Sequence, residues 1–330
     1  MITNYTKKDL ALCRNKIQND QENNIYKNKF PSKDFKYPFE DFVDLSVKGY
    51  TKQTIKLKTY CNYIPDTIPI AILFSFHGLG GHSNIESAHI ANYLVGEGYF
   101  VCSLDHREHG LSENDLCYVI IFSDLIDDAS KFILLTEHYI EQKFNIKIPK
   151  FMCGSSMGGM IAHYVSKLHN FQGIIYNAPC FNVAMTCFPK MIIKSIACLC
   201  PGNIIPRFDE NKLSKNPMIK LGIRHCPIIA ARRIRFGTLN SLLQKCQGFS
   251  TDLNKSHEKS FVIIAGGVDK LVSLDAIINY YENSYVEDKS IWLYPNMWHV
   301  SFLEDEVYDI MPRLNIWMKK RLNQNEKMKR

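Results

Sequence analysis

The 330-residue sequence lacks an apolar run long enough to cross a membrane. Its longest apolar stretch, residues 191–200, is interrupted by Lys194 and is much shorter than the roughly 20 residues that a spanning helix needs. The N-terminus also lacks the apolar segment of a secretory signal peptide. These absences predict a cytoplasmic protein whose contact with membranes, if it has any, is peripheral.

The sequence also lacks paired cysteine spacings. Its 11 cysteines are an odd number, and no second Cys or His pair stands at a zinc-site distance. This pattern predicts free thiols in a reducing compartment and no metal. Cys198 and Cys200 lie in the apolar stretch, and we therefore expect them to be small buried side chains.

The net charge of +7 is too small to indicate nucleic-acid binding by itself, but the charge is unevenly distributed. Residues 180–250 hold eleven Lys and Arg against two acids, or +9, so the rest of the chain sums to −2. Aromatic residues there are few and are not interleaved as stacking platforms, which argues against a nucleic-acid partner. The segment is either a solvated basic face or a contact for anionic lipid, with Arg232, Arg233 and Arg235 as candidate contacts.

The hydrophobic content of 46% predicts one large core with an insertion. Residues 1–36 read as a polar N-terminal extension, because they show no sustained periodicity. We expect the core at 37–178 and 251–323 and a basic tail at 324–330. Residues 179–250, hereafter the cap, read as an inserted cap or lid, because prolines interrupt short apolar helical stretches there.

Strand and helix patterns alternate in the core. An antiparallel pair of strands is expected at the sheet edge, and the continuous apolar run 69–76 is typical of a strand buried on both faces. Helical and strand patterns then alternate up to Asn177 and resume at 260–267, and a last amphipathic helix lies near 303–322. The alternation predicts an α/β fold with a mostly parallel central sheet flanked by helices.

A glycine-framed serine follows the strand pattern at 147–153. Residues 154–158 read Gly-Ser-Ser-Met-Gly, a G-x-S-x-G motif, and a helical pattern begins at once. This motif marks a sharp strand-to-helix turn that exposes the serine, and Gly154 and Gly158 leave room for the crossing backbone. Ser156 is therefore the candidate nucleophile.

A serine nucleophile needs a base and an acid that orients the base. Asp269 directly follows the strand 260–267, and His299 follows the last strand pattern. Both therefore lie where the carboxyl edge of the sheet is expected, which is where open α/β sheets place their sites. Asp275 lies near a helix start, and we interpret it as a terminal residue of that helix rather than as the acid.

The loop after the third predicted core strand is rich in glycine. It reads His-Gly-Leu-Gly-Gly-His-Ser from His77, and Gly78 permits close approach of the backbone to a substrate. An oxyanion hole needs two N–H donors, and the candidates are Met157 and Leu79. We interpret His77 as a structural residue that braces this loop.

Several motifs together resemble one family. The loop at 77–83, DHREHGLS at 105–112, GSSMGG at 154–159, GGVDKLV at 266–272 and WHVSFLE at 298–304 are similar to the monoacylglycerol lipase and lysophospholipase family of α/β hydrolases, most of all to lysophospholipase-like and prodrug-activating esterases of apicomplexan parasites. The resemblance runs from about Phe39 to Leu322. It implies an enzyme, cytosolic or peripheral, that hydrolyses the ester of a single acyl chain without a metal or organic cofactor.

Two positions depart from that family. Ser155 stands where the family usually has His, and Glu108 stands where it usually has Gly. We expect the first to alter packing beneath the serine and the second to close or recharge the rim of the pocket. Substrate preference is affected rather than the type of reaction.

Several functions remain open at this stage. Hydrolysis of single-acyl esters leads, and the alternatives with the same residues are a broad short-chain carboxylesterase, a thioesterase or a peptidase. A non-catalytic binding scaffold is the alternative of another class, although such proteins typically lose a triad residue. Dehalogenase and epoxide hydrolase chemistry needs a carboxylate where Ser156 stands, and both are excluded.

Overall fold

A single large sheet organises the chain. The computed structural model describes residues 40–49, 53–113, 117–206, 209–226, 228–251 and 258–328. The strands within these ranges are β1 Glu40–Asp41, β2 Leu45–Lys48, β3 Thr54–Leu57, β4 Thr59–Asn62, β5 Ala71–Phe76, β6 Tyr99–Leu104, β7 Lys150–Ser155, β8 Gly173–Asn177, β9 Ser260–Gly266 and β10 Asp288–Tyr294. The helices are α1 Glu86–Leu94, α2 Ser123–Phe144, α3 Met157–Ser166, α4 Cys187–Leu199, α5 Pro217–His225, α6 Phe236–Thr251, α7 Leu274–Asn283 and α8 Val307–Met328.

The sheet has the strand order β1-β4-β6-β5-β7-β8-β9-β10. Strands β5 to β10 are parallel to their neighbours, whereas β4 and β1 continue the sheet antiparallel at one edge. The predicted mostly parallel sheet is confirmed. The antiparallel pair of strands that was predicted at the sheet edge is instead four short strands. Of these, β1 and β4 join the main sheet, and β2 and β3 form a separate two-stranded sheet.

Alternating side chains of the buried strands divide the core into two layers. In β5, Ile72, Phe74 and Phe76 belong to the layer that is covered by α2, α3 and α7. Ala71 and Leu73 belong to the opposite layer, which is covered by α1 and α8. Since β5 to β9 are covered on both faces, their continuous apolar sequences follow directly from this arrangement.

The DHREHGLS segment is a scaffold rather than a catalytic element. The Asp105 carboxylate accepts hydrogen bonds from the Ser83 backbone N–H at 2.8 Å and from the Tyr60 hydroxyl at 2.9 Å. Arg107 pairs with Asp128 on α2 through two hydrogen bonds of 2.6 and 2.7 Å. These contacts tie the loop after β6 to the loop after β5, so they hold the glycine-rich loop at the edge of the sheet.

Glu108 has a left-handed backbone conformation, with φ = 63°. A glycine adopts this conformation without steric cost, which explains why glycine suits the position. Glu108 is not among the residues that line the cavity at Ser156 described below. The expectation that its side chain closes or recharges the rim of the pocket stays a prediction.

The cap lies between β8 and β9 and contains α4, α5 and α6. Cys198 and Cys200 are exposed, so the prediction that they are buried is wrong. The reason is that only Ile193 and Ala197 of α4 are fully buried and Ile196 is partly buried, whereas Phe188, Met191 and Leu199 are exposed. An apolar run of this length therefore does not show which of its side chains are buried.

The structure describes the last helix of the chain but not the predicted N-terminal extension. The predicted N-terminal extension, 1–36, lies outside the described residues. The last helix begins at Val307 rather than near residue 303, because residues 301–303 form a short 3₁₀ turn. It continues to Met328 through most of the predicted tail, and residues 329–330 lie outside the described range. Within the described ranges, no helix is long and apolar enough to cross a membrane.

Candidate active site

Ser156 lies in the turn between β7 and α3. Its backbone has φ = 53° and ψ = −114°, a conformation that a non-glycine residue rarely adopts. The backbone N–H of Ser156 donates to the carbonyl of Asn177 at 2.9 Å, and its carbonyl accepts from the N–H groups of Gly159 and Cys180 at 2.9 Å. Three backbone hydrogen bonds thus hold the strained turn in place.

Two glycines make the turn possible. A Cβ atom on Gly158 would overlap the carbonyl oxygen of Phe76 at the end of β5, and a Cβ atom on Gly154 would overlap the carbonyl oxygen of Gly158. Gly78 also approaches the serine, since a Cβ atom there would lie 3.1 Å from the Cβ of Ser156. The turn therefore places Ser156 directly against the glycine-rich loop.

Asp269 and His299 are brought together by the loops after β9 and β10. The Nδ1 atom of His299 lies 2.7 Å from Oδ2 of Asp269, and both side chains are buried. The other carboxylate oxygen accepts from the N–H groups of Leu271 at 2.8 Å and Val272 at 3.1 Å. Asp275 is instead exposed in the first turn of α7, and Ser273 is the residue that caps the N-terminus of this helix.

The electrostatic environment fits an acid and base pair. Burial alone would lower the pKa of His299, but the adjacent Asp269 carboxylate raises it above its ordinary value. Burial alone would raise the pKa of Asp269, but His299 and two backbone N–H groups hold it below its ordinary value. Asp269 is therefore ionised at neutral pH and fixes the Nδ1–H tautomer of His299.

The glycine-rich loop is braced by His77. Its Nδ1 atom lies 2.8 Å from the Gly78 carbonyl, and its Nε2 atom accepts from the His106 backbone N–H at 3.0 Å. Burial lowers the pKa of His77 to about 4, so the ring is neutral at neutral pH. Leu79, the next residue in this loop, and Ser156 line the same cavity. Met157 is buried at the start of α3, where backbone N–H groups lack partners within the helix.

The cap contacts the candidate site from two sides. The carbonyl of Gly80 accepts from the Ala230 backbone N–H at 2.9 Å, and a Cβ atom on Gly80 would lie only 2.6 Å from the Cα of Ala231. On the other side, the carbonyl of Leu213 accepts from the N–H groups of His299 and Val300, both at 3.2 Å. The cap therefore fixes both the glycine-rich loop and the loop that carries His299.

A cavity of about 320 Å³ lies between the cap and the sheet edge and contains both Ser156 and His299. Its lining is mostly apolar. One group of lining residues belongs to the cluster of α4 and α6, namely Val183, Met185, Ile193, Ile205 and Leu239. A second group packs near Val300, namely Ile85, Leu213 and Ile223. Apolar walls therefore flank the serine from more than one direction.

Sequence reasoning missed Glu86, which lines this cavity from the first turn of α1. Its carboxylate accepts from the side-chain amide of Asn177 at 3.2 Å, and the same amide donates to the Ser155 hydroxyl at 2.9 Å. Burial raises the pKa of Glu86, although Ser155, His299 and Asn177 oppose the shift. A glutamate in the first turn of a helix is common. Only its position three residues after the glycine-rich loop could have indicated that Glu86 lines the cavity.

Ser155, which precedes the candidate nucleophile Ser156, also has a defined hydrogen-bond partner. It bonds to Asn177 within a buried polar group that also includes Glu86. The expectation that Ser155 alters packing beneath the turn stays a prediction, and the structure gives the hydrogen bonds in which Ser155 takes part. Among the described residues, no group of three or more His, Cys, Asp or Glu is placed to hold a metal ion.

Residues 67–306 match the Hydrolase_4 family, described as serine aminopeptidase, S33. The chain is 25% identical over 272 residues to the monoglyceride lipase of Homo sapiens, which covers 79% of this chain and 87% of that protein. It is 21% identical over 263 residues to the monoacylglycerol lipase of Mycolicibacterium smegmatis, which covers 78% of this chain and 91% of that protein.

A solved structure shares the fold. A soluble variant of the monoglyceride lipase from Saccharomyces cerevisiae, in complex with a substrate analog, superposes with a TM-score of 0.72 at 18% sequence identity. The superposition covers 88% of this chain and 98% of that chain. The α/β-hydrolase fold of the protein is thereby established.

Replacing Gly158 by Val should destabilise the fold much more than replacing Ser156 by Ala. The new side chain would overlap the Phe76 backbone, whereas removing the serine hydroxyl leaves the turn intact. We expect a loss of about 3 kcal/mol, which lowers Tm by roughly 4–5 °C in a chain of 330 residues, because the entropy of unfolding is about 2.1 cal/mol/K per residue. Thermal melting of the two variants measures the difference, and equal melting temperatures would contradict the proposed constraint.

Replacing Glu86 by Gln should lower the pKa of His299, because a negative charge beside the imidazole is lost. Reaction of Ser156 with a fluorophosphonate requires the unprotonated base, so the acid limb of the labelling rate should move to lower pH. The effect should vanish below the pH at which Glu86 itself becomes protonated. Exposed Glu282 on α7 provides the control Glu282→Gln, and an identical limb in both variants would refute the coupling.

Proposed function

Because the chain belongs to the Hydrolase_4 family of serine hydrolases, described as serine aminopeptidase, S33, we propose that it cleaves carboxylic esters of single-acyl lipids, monoacylglycerols or lysophospholipids. The proteins named above as monoglyceride and monoacylglycerol lipases support this substrate class. The cap, residues 179–250, then serves as the lid over the acyl chain.

The reaction follows from the geometry of the candidate residues. Ser156 attacks the ester carbonyl while His299 takes its proton through Nε2, and Asp269 holds the imidazole by the 2.7 Å hydrogen bond to Nδ1. The N–H groups of Met157 and Leu79 stabilise the oxyanion. His299 then protonates the leaving alcohol, and water repeats the cycle on the acyl-enzyme.

The apolar cavity at Ser156 is the observation that carries the proposal. Its walls are formed mostly by aliphatic side chains of the cap and the sheet edge, and the few charged groups that line it are Glu86, Asp209 and Lys212. An acyl chain gains free energy by leaving water for such walls, at about 0.8 kcal/mol per buried CH₂. A single chain attached to a small head group suits this environment.

Glu86 favours a second candidate with the same triad. A carboxylate beside the serine could hold the ammonium group of a peptide N-terminus, which is the chemistry that an aminopeptidase requires. The same position also suits a cationic head group on a lysophospholipid. The two functions differ in the leaving group and can be separated by substrate.

A matched substrate panel tests the proposed function. We expect turnover of a monoacylglycerol or lysophosphatidylcholine with kcat/KM well above that of a short-chain ester, because only the longer chain fills the apolar cavity. Aminoacyl anilides probe the peptidase alternative, and a thioester probes thioesterase activity. Faster cleavage of the anilides than of every ester would overturn the proposal.

Replacing Ser156 by Ala should reduce ester hydrolysis by about 10⁴ to 10⁶-fold and abolish fluorophosphonate labelling, with unchanged melting. Replacing Asp269 by Asn should reduce kcat by about 10⁴-fold, because the imidazole loses its orientation. Asp275→Asn is the matched control and should stay near the wild-type rate. A severe loss for Asp275→Asn with a mild one for Asp269→Asn would show that the acid is misassigned.

We further propose a peripheral membrane contact through the outer side of α4. Phe188, Met191 and Leu199 are 72%, 66% and 83% exposed there, and Lys194 is exposed between them. An amphipathic helix with exposed apolar and basic residues suits the surface of an anionic bilayer. The net charge of +9 over residues 180–250 also favours attraction of the cap to an anionic surface.

The three candidate contacts Arg232, Arg233 and Arg235 do not share one environment. Arg232 is exposed, but Arg235 is partly buried, donates to the Gly202 carbonyl and lies 5.5 Å from the Tyr118 ring centre. Its replacement would therefore loosen the cap as well as remove charge. The exposed residues of α4 are better probes of a membrane contact than these arginines.

Replacing Phe188 and Leu199 by Ser should weaken binding to anionic liposomes by about tenfold or more, since burial of each side chain contributes about 1.5–3 kcal/mol. The control variant replaces Leu134 on α2 and Ile316 on α8, which are 55% and 69% exposed. Co-flotation with liposomes measures binding. If both double variants lost liposome binding equally, or if neither lost it, a contact specific to α4 would be contradicted.

A further inference from the structure

The exposed cysteines of the protein are concentrated on one helix. Of the ten cysteines that the structure describes, six are buried, Cys226 is half-buried, and three are exposed. Cys187 and Cys198 are exposed within α4, and Cys200 is exposed directly after its last residue. Buried thiols are the common state of free cysteine, so this concentration is unusual.

The helical period places Cys187 and Cys198 on the outer apolar side of α4, and Cys200 directly follows the last helical residue. Cys187 and Cys198 are eleven residues apart, which is about three turns, and Met191 and Lys194 lie on the same stripe between them. Phe188 and Leu199 form the adjoining stripe and are among the most exposed apolar side chains. The inward side of the helix is formed by Ile193 and Ala197, which are buried.

Two other uses of the cysteines fit the geometry poorly. Cys187 and Cys198 are separated by about 16 Å along the helix axis, which is too far for a disulfide. The described residues contain no group of His, Cys, Asp or Glu that could hold a metal ion with them. None of the three cysteines lines the cavity. Cys187 and Cys198 thus face outward, on the side where apolar residues and a lysine are exposed, and Cys200 is exposed at the end of the same helix.

We propose that Cys187, Cys198 and Cys200 form an S-acylation site that anchors the cap to a membrane. The proposal rests on the proposed membrane contact of α4, which would bring the thiols to the depth of the lipid carbonyl groups. Cysteines on amphipathic helices that contact membranes are typical sites of reversible S-acylation. One acyl chain alone binds a membrane only marginally, and the apolar and basic side of α4 supplies the second signal that stable anchoring needs.

The acyl donor is a long-chain acyl-CoA thioester. The cysteine sulfur attacks the thioester carbonyl, a new carbon–sulfur bond forms, and the bond from that carbon to the sulfur of CoA breaks. CoA leaves as the free thiol and takes the proton that the cysteine loses. The reaction exchanges one thioester for another, and nothing is oxidised or reduced.

Hydroxylamine-dependent mass tagging tests the site in the full chain expressed in eukaryotic cells. Free thiols are blocked, thioesters are cleaved with neutral hydroxylamine, and the released thiols are tagged with maleimide-polyethylene glycol. We expect at least one and at most three mass steps for the wild type, and none for the variant Cys187→Ser/Cys198→Ser/Cys200→Ser. Cys226→Ser, elsewhere in the cap, should keep the wild-type steps, and thermal melting checks that both variants fold.

Two outcomes would overturn the proposal. The first is that the triple variant still shows the mass steps of the wild type. The second is that the wild type shows no mass step, although a known acylated protein in the same lysate is tagged. Liposome binding of unmodified protein from bacteria tests the membrane contact separately. Binding without acylation would refute the S-acylation site alone, and acylation without binding of the unmodified protein would refute the membrane contact while the site stands.

Discussion

The close approach of Gly158 to the carbonyl of Phe76 is the constraint on which the candidate site depends. It allows α3 to begin directly above the end of β5, so that Ser156 lies against Gly78 of the glycine-rich loop. The strained backbone of Ser156 is then held by hydrogen bonds to Asn177, Gly159 and Cys180. The candidate nucleophile and the proposed oxyanion donors therefore share one rigid corner of the sheet, which is what preorganised stabilisation of charge requires.

The cap is coupled to that corner rather than merely covering it. Ala230 bonds to Gly80, and Leu213 accepts from the backbone of His299. A movement of the cap that breaks these bonds would shift both the proposed oxyanion loop and the proposed base. If the cap is the lid that we propose, its opening and the geometry of the proposed site are linked by these backbone hydrogen bonds, which substitution of side chains in the cap does not remove directly.

The sheet and the placement of the triad candidates were predictable from sequence, whereas the outer surface of the cap was not. Continuous apolar runs such as 71–76 have one stable environment, a strand covered on both faces, and a glycine pair around Ser156 has one common use. Cys198 and Cys200 were misjudged because hydrophobicity shows that a side chain avoids water but not what covers it. Glu86 was missed because its neighbours Asn177 and Ser155 come from distant parts of the chain.

Helix α4 has apolar residues on both of its sides. Its inner side is covered, since Ile193 lines the cavity and packs in the cluster of α4 and α6. No described part of the chain covers Phe188 or Leu199 on the outer side. Large apolar side chains that are exposed together on one side of a helix mark a contact with a partner or a membrane, and the proposed membrane contact and acyl chains would complete the burial of α4. Because Ile193 of α4 lines the cavity at Ser156, a bilayer that contacts the outer side of α4 would be separated from that cavity by this one helix, so the proposed contact would bring a lipid substrate next to the candidate site.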